Sequence, residues 1–244
     1  MAATLFVIPG SHPSWSARLM LEHKGIEYRR IDLVAAMHRP ILRAARFPGI
    51  TVPALSIDGR KVQGTRKIAE VLDELRPEPP LLPSDPERRA AVDEAERWGD
   101  EELQKATRRI TWWAIQRDPA AIKTFLAGAR VGMPTGLAAA VAGPFVRASV
   151  RYNDVTDESV RADLAALPGM LDRVDGLIAE GVLGGDPPNV ADFQIATSVR
   201  LLMCSDDLRP KIEGRPAGDH ALRIVPGFPG RIAPVLDPVL PAAA

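Results

Sequence analysis

A proline at the head of an apolar run, Thr51-Val52-Pro53-Ala54-Leu55, constrains this chain more than any other feature. Proline has a fixed φ and no backbone N–H, so it belongs at the start of a strand, at a sheet edge or in a tight turn. An X-Pro bond also tolerates the cis form, which leaves the N–H and C=O of the preceding residue facing outward. A backbone edge of that kind can pair with an extended peptide. One turn later comes Gln63-Gly64-Thr65-Arg66-Lys67-Ile68, which places Thr65 where a helix N-cap is expected. The free N–H groups of a first helical turn favour an anion. An edge for a peptide backbone beside a seat for a carboxylate suits a small thiol peptide. The same residues also read as a proline-started strand and a capped helix with no ligand.

Composition narrows the classes. The chain has 244 residues, 46% apolar and 25% charged, as expected for one large or two small soluble domains. Its 31 basic and 31 acidic residues cancel, which argues against general nucleic-acid binding. The basic pairs Arg88-Arg89 and Arg108-Arg109 lie on helical patterns and are read as solvated helix faces. A single cysteine, Cys204, excludes an intrachain disulfide and fits a reducing, cytoplasmic setting. It sits in an apolar run and reads as a buried small hydrophobe. His12, His23, His38 and His220 do not pair with one another or with acids at ligand spacing, so no metal site is expected. The N-terminus lacks the basic region of a signal peptide. Residues 131–150 are rich in Ala and Gly, but Pro134, Pro144 and Arg147 argue against a membrane span.

The hydrophobic pattern divides the chain. Residues 4–8 form a short apolar run, read as a strand, and a loop runs from Pro9 to Pro13. A helix stopped by Gly25 follows, then a strand over 27–33 and a short helix over 38–46. Segments 52–57 and 60–63 flank Asp58-Gly59, a strong hairpin signal. Residues 65–75 carry a helical apolar face. The order β-α-β-α-β-β-α occupies residues 1–76. A proline-dense linker over 77–85 ends at Ser84 or Asp85, either of which can cap the next helix. Residues 86–244 then read as helical. Apolar positions from Val160 to Ile178 keep helical spacing, with a kink expected at Pro168-Gly169. Asn189-Val190-Ala191-Asp192 has the form of a capping box, and the helix it opens is apolar on nearly all sides. The Pro- and Gly-rich tail from about Gly214 is expected to wrap the surface. No internal repeat is present.

Four segments in this order carry a resemblance. They are Glu22-His23-Lys24-Gly25-Ile26-Glu27-Tyr28, Thr51-Val52-Pro53-Ala54-Leu55, Leu81-Leu82-Pro83-Ser84-Asp85-Pro86, and Gly184 through Phe193. The chain resembles the cytosolic glutathione transferases of the bacterial, serine-type kind over roughly residues 4–205. The resemblance implies an α+β fold, a thioredoxin-like βαβαββα domain followed by an all-helical bundle. It implies a cis bond between Val52 and Pro53, with Val52 pairing with the glutathione backbone. It gives Asp192 a structural role. Glutathione is the implied co-substrate and a homodimer the implied assembly.

The family's chemistry is thiol activation. A free thiol has a pKa of about 8.5, and a hydroxyl that donates a hydrogen bond to the thiolate lowers it. Ser11 falls at the serine-type position. Ser14 is the alternative, because Ser14-Trp15 resembles the Ser-Trp pair of zeta-like members. Both also read as ordinary loop or N-cap serines. No G-x-S-x-G elbow suggests a hydrolase. Thr65 matches the hydroxyl that holds the glutathione carboxylate.

Two positions depart from the family pattern. Gly64 stands where the family has an acid that contacts the γ-glutamyl amine, leaving Gln63 as a weaker substitute. Thr51 stands where a Lys or Gln is common. Two functions follow from this reading. One is an enzyme that joins a thiol, glutathione or another, to an electrophilic small molecule or isomerises one. The other is a non-catalytic binding protein on the same fold, for which Gly64 speaks.

Overall fold

The computed structural model describes residues 2–34, 37–132, 134–140 and 142–241. Strand β1 (Ala3–Val7) alternates buried and half-buried residues, so one of its faces enters the core. Helix α1 (His12–His23), β2 (Arg29–Asp32) and α2 (His38–Ala44) follow. Strands β3 (Ala54–Ile57) and β4 (Arg60–Gln63) are joined through Asp58-Gly59, and α3 (Thr65–Leu75) comes next. The sheet order is β2-β1-β3-β4. β1 and β2 run parallel, whereas β1–β3 and β3–β4 are antiparallel. This is a thioredoxin-like domain, and Leu5, Leu55 and Ile57 of its sheet are fully buried.

Among the described residues, every element after α3 is helical. α4 (Pro86–Trp98) is capped by Asp85, whose Oδ1 accepts from the Arg88 N–H at 2.8 Å. A π-helical turn, Gly99–Leu103, joins it to α5 (Gln104–Arg117). Gly99 is needed there, since a Cβ would lie 2.9 Å from Ile195 Cγ1. Three shorter helices follow, α6 (Ala121–Phe125), α7 (Thr135–Ala140) and α8 (Gly143–Tyr152). The last two are built by the Ala- and Gly-rich stretch, of which residues 133 and 141 lie outside the described residues. Then come α9 (Asp157–Ala179), α10 (Val190–Leu202), α11 (Arg209–Ile212) and α12 (Pro216–Ile224). No helix among the described residues is long and apolar enough to cross a membrane.

Pro168 does not end α9, which runs on over 23 residues. Leu164, Leu167, Leu171 and Val174 bury one stripe on both sides of the proline and hold the helix to the core. The segment after Gly214 does not simply wrap the surface either. Pro216 opens α12, and Ala217, His220 and Ala221 are buried where α12 packs on α10.

The turn after α1 is tied to the linker by one buried cation. The Lys24 side chain is fully buried, and its Nζ lies 2.5 Å from Asp73 Oδ1. The same ammonium donates to the Arg76 carbonyl at 2.6 Å and to the Pro77 carbonyl at 3.2 Å. Asp73 also accepts from the Leu81 and Leu82 N–H groups, both at 2.9 Å. One carboxylate therefore neutralises Lys24 and fixes the path of the proline-rich segment. Removing one member of a buried pair leaves an uncompensated charge, which costs on the order of 3–5 kcal/mol. Asp73→Ala is predicted to lower stability by about 3 kcal/mol in urea unfolding, by that principle. A loss under about 1 kcal/mol would show that the two carbonyls alone satisfy Lys24.

Candidate active site

A cavity of about 640 Å³ opens between the thioredoxin-like domain and the helices. Ser11, Val52, Pro53, Gly64 and Thr65 line it from the first domain. Asp100, Gln104, Arg108 and Trp112 line it from the π-helical turn and α5. Phe145 and Tyr152 of α8 close another side, and Trp112 meets Phe145 edge to face at 5.3 Å. The walls are thus largely apolar, with few polar groups.

Ser11 is the N-cap of α1, but its hydroxyl makes no capping hydrogen bond. An N-cap hydroxyl normally accepts from the second or third helical N–H. Pro13 occupies the second helical position and has no N–H to give. The Ser11 hydroxyl has no partner among the described residues. It sits instead at the positive end of α1, facing the cavity lining.

The Val52–Pro53 bond is cis. Neither the N–H nor the C=O of Val52 makes a hydrogen bond among the described residues. A free backbone edge therefore borders the cavity. Gly64, not Thr65, is the N-cap of α3. Its φ of 87° lies in the left-handed region that favours glycine. Thr65, a buried residue, begins the helix, and its hydroxyl also lacks a partner among the described residues. With the N–H groups of the first turn of α3, it gives the cavity edge donors of the kind that favour an anion.

Two proposed residues are not brought to this cavity. Gln63 is engaged elsewhere: its Oε1 accepts from the Gly49 N–H at 2.6 Å, and its Nε2 donates to the Thr51 carbonyl at 2.7 Å. It braces the loop ahead of Pro53. Ser14 is 1% exposed and lines a separate, smaller cavity beside Trp15, Arg18 and Arg30. Its hydroxyl has no partner among the described residues.

The residues missed by the sequence reading come from the π-helical turn and α5. Among the described residues lining the cavity, Asp100 is the one carboxylate and Arg108 the one arginine or lysine. Asp100 Oδ1 accepts from Gln104 Nε2 at 2.5 Å, and Gln194 Nε2 of α10 lies 3.4 Å from the same oxygen. Steps of four from 100 to 104 to 108 put all three on one helix face, a signal present in the sequence. The reading of Arg108-Arg109 as a solvated face is corrected. Arg109 forms a two-pronged pair with Asp163, with Nε donating to Oδ2 at 2.6 Å. Arg108 turns into the cavity instead.

His12, the residue after Ser11, is 4% exposed and its Nε2 has no partner among the described residues. Burial, reinforced by the charge of Arg108, holds its pKa well below the ordinary 6.5. His12 is therefore neutral in the fold at pH values where the unfolded chain protonates it. A depressed histidine contributes stability at higher pH that is lost as pH falls through 6.5. His12→Gln is predicted to flatten the fall in unfolding free energy between about pH 6.5 and 5, by at most about 1.4 kcal/mol per pH unit, the one-proton limit. An unchanged slope in urea titrations would show that His12 does not titrate this way.

Residues 5–80 match the family model described as glutathione S-transferase, N-terminal domain. Maleylacetoacetate isomerase of Rattus norvegicus is 39% identical over 83 residues, covering 32% of this chain and 38% of the relative. The chain thus spans little more than a third of the length of the curated relatives it matches. A crystal structure of a glutathione S-transferase from Rhodospirillum rubrum F11 superposes with a TM-score of 0.60 at 19% identity, covering 90% of this chain and 91% of that one. Maleylacetoacetate isomerase from Anaeromyxobacter dehalogenans 2CP-1, with GSH bound in its active site, gives a TM-score of 0.51 at 21% identity, covering 91% and 89%. The chain therefore has the glutathione-transferase fold, a thioredoxin-like domain followed by a helical domain.

Proposed function

We propose that this chain is a serine-type, glutathione-dependent enzyme that acts on electrophilic small molecules. One observation carries the reading. The partnerless Ser11 hydroxyl, the free Val52 backbone and the Thr65 anion seat border one cavity with apolar walls. Glutathione supplies a peptide backbone, a carboxylate, an ammonium and a thiol nucleophile. Val52 pairs with its backbone, as a sheet edge pairs with a strand. Thr65 and the first turn of α3 hold a carboxylate. Asp100 offers the negative charge that Gly64 does not, held in place by Gln104 and Gln194.

Ser11 donates its hydrogen bond to the thiolate and favours the charged form, and the dipole of α1 adds to this. The activated sulfur then attacks an electrophilic carbon held against Trp112 and Phe145. In a displacement the C–S bond forms as the leaving group departs with its electron pair. In an isomerisation the same C–S bond forms and later breaks. The relatives named maleylacetoacetate isomerase support the second outcome as much as the first. The proposal includes a homodimer in the cytoplasm, with small molecules as its partners.

Gly64 favours a second reading, a binding protein on the same fold that holds an apolar ligand without turning it over. The two readings separate in one experiment. Ser11→Ala is predicted to slow glutathione-dependent turnover of an activated aryl chloride at least tenfold, about 1.4 kcal/mol of barrier, with the melting temperature unchanged. Ser14→Ala is predicted to leave turnover within about twofold of the parent protein. Equal rates for Ser11→Ala and the parent protein would remove Ser11 from the mechanism. Glutathione binding without turnover would favour the binding protein.

A further inference from the structure

Arg108 is an unpaired cation in a largely apolar cavity. Among the described residues it makes no ion pair and no hydrogen bond. Its neighbour Arg109 has a carboxylate of its own in Asp163. Asp100 shares the cavity but is engaged with Gln104, and it reaches Arg108 only as a longer-range charge. Arg108 is half-buried, and burial pulls its pKa below the ordinary value, the direction expected where no carboxylate lies against the guanidinium. A group in that state is stabilised when a ligand brings an anion to it.

We propose that Arg108 seats the carboxylate of the electrophilic substrate, so that this cavity selects organic acids with a flat apolar body. Three features of the lining fit that class. The guanidinium fork matches a carboxylate with two parallel hydrogen bonds. Trp112 and Phe145 offer aromatic surface one helical turn beyond Arg108 and across from it. Arg108 lines the same cavity as Ser11 and lies within electrostatic reach of His12, the next residue in sequence. The substrate class deepens the reading given above, although the anion seat itself does not require glutathione.

The test is calorimetric and uses the full chain without any thiol. Benzoate, cinnamate and 2-naphthoate are each titrated against the matching amide, which keeps the shape and removes the charge. The parent protein is expected to bind at least one acid tenfold or more tighter than its amide. Arg108→Gln is expected to abolish that preference, and Arg108→Lys to retain part of it. Thermal shift by glutathione is expected to be the same in Arg108→Gln and the parent protein. Urea unfolding checks that Arg108→Gln remains folded. Equal affinities for acids and amides, no binding of either, or a preference that survives in Arg108→Gln would each overturn the proposal. Loss of the glutathione shift in Arg108→Gln would also overturn it, by placing Arg108 on the thiol peptide instead. A retained acid preference in a protein that glutathione does not stabilise would leave this seat standing and remove the glutathione reading.

Discussion

Helix α10 is buried along its whole length, from Val190 to Leu202, and the rest of the helical domain is arranged around that fact. A buried helix start cannot leave its first N–H groups to water. Asn189 and Asp192 meet that demand together. Asn189 Oδ1 accepts from the Ala191 N–H at 2.9 Å, and Asp192 Oδ2 accepts from the Asn189 N–H at 2.8 Å. Asp192 Oδ1 also accepts from the Gly184 N–H at 2.7 Å, which fixes the preceding loop. Burial pushes the Asp192 carboxyl up, and these hydrogen bonds oppose the shift by favouring its charged form.

From α10 the constraint passes to the site. Ser16 of α1 lies against α10, its hydroxyl 3.0 Å from the Phe193 carbonyl and 2.8 Å from Thr197 Oγ1. That contact sets where α1, and hence its N-cap Ser11, stands relative to the helical domain. On its other side, α10 sends Gln194 to the Asp100–Gln104 pair. Gly99 permits the close approach of Ile195, and the π-helical turn begins there. Turns of this kind recur at functional sites. The two walls of the cavity are thus positioned by one buried helix.

The thioredoxin-like half was legible because local rules dominate it. Alternating strands, a two-residue hairpin turn and a strand-heading proline each leave a short-range mark in the sequence. The Asn189–Asp192 box was legible for the same reason. What sequence could not supply was direction. Ser11 and Ser14 are three residues apart on the chain, yet one lines the large cavity and the other a separate small one. Gln63 read as a ligand contact because its partners, Gly49 and Thr51, lie across a loop. Arg108 and Arg109 read as one basic pair, but adjacent helical residues point about 100° apart, and their environments differ accordingly. The burial of α12 depends on a long-range contact with α10 that proline and glycine content alone hides.

The most direct measurement is a pH titration of the thiol of glutathione bound to the protein, followed by thiolate ultraviolet absorbance. If glutathione binds with its sulfur beside the Ser11 hydroxyl and the N-terminus of α1, its bound thiol pKa lies at least about one unit below the free value of about 8.5. A bound thiol that titrates where free glutathione does would contradict thiol activation at Ser11 and leave the cavity as a binding site alone.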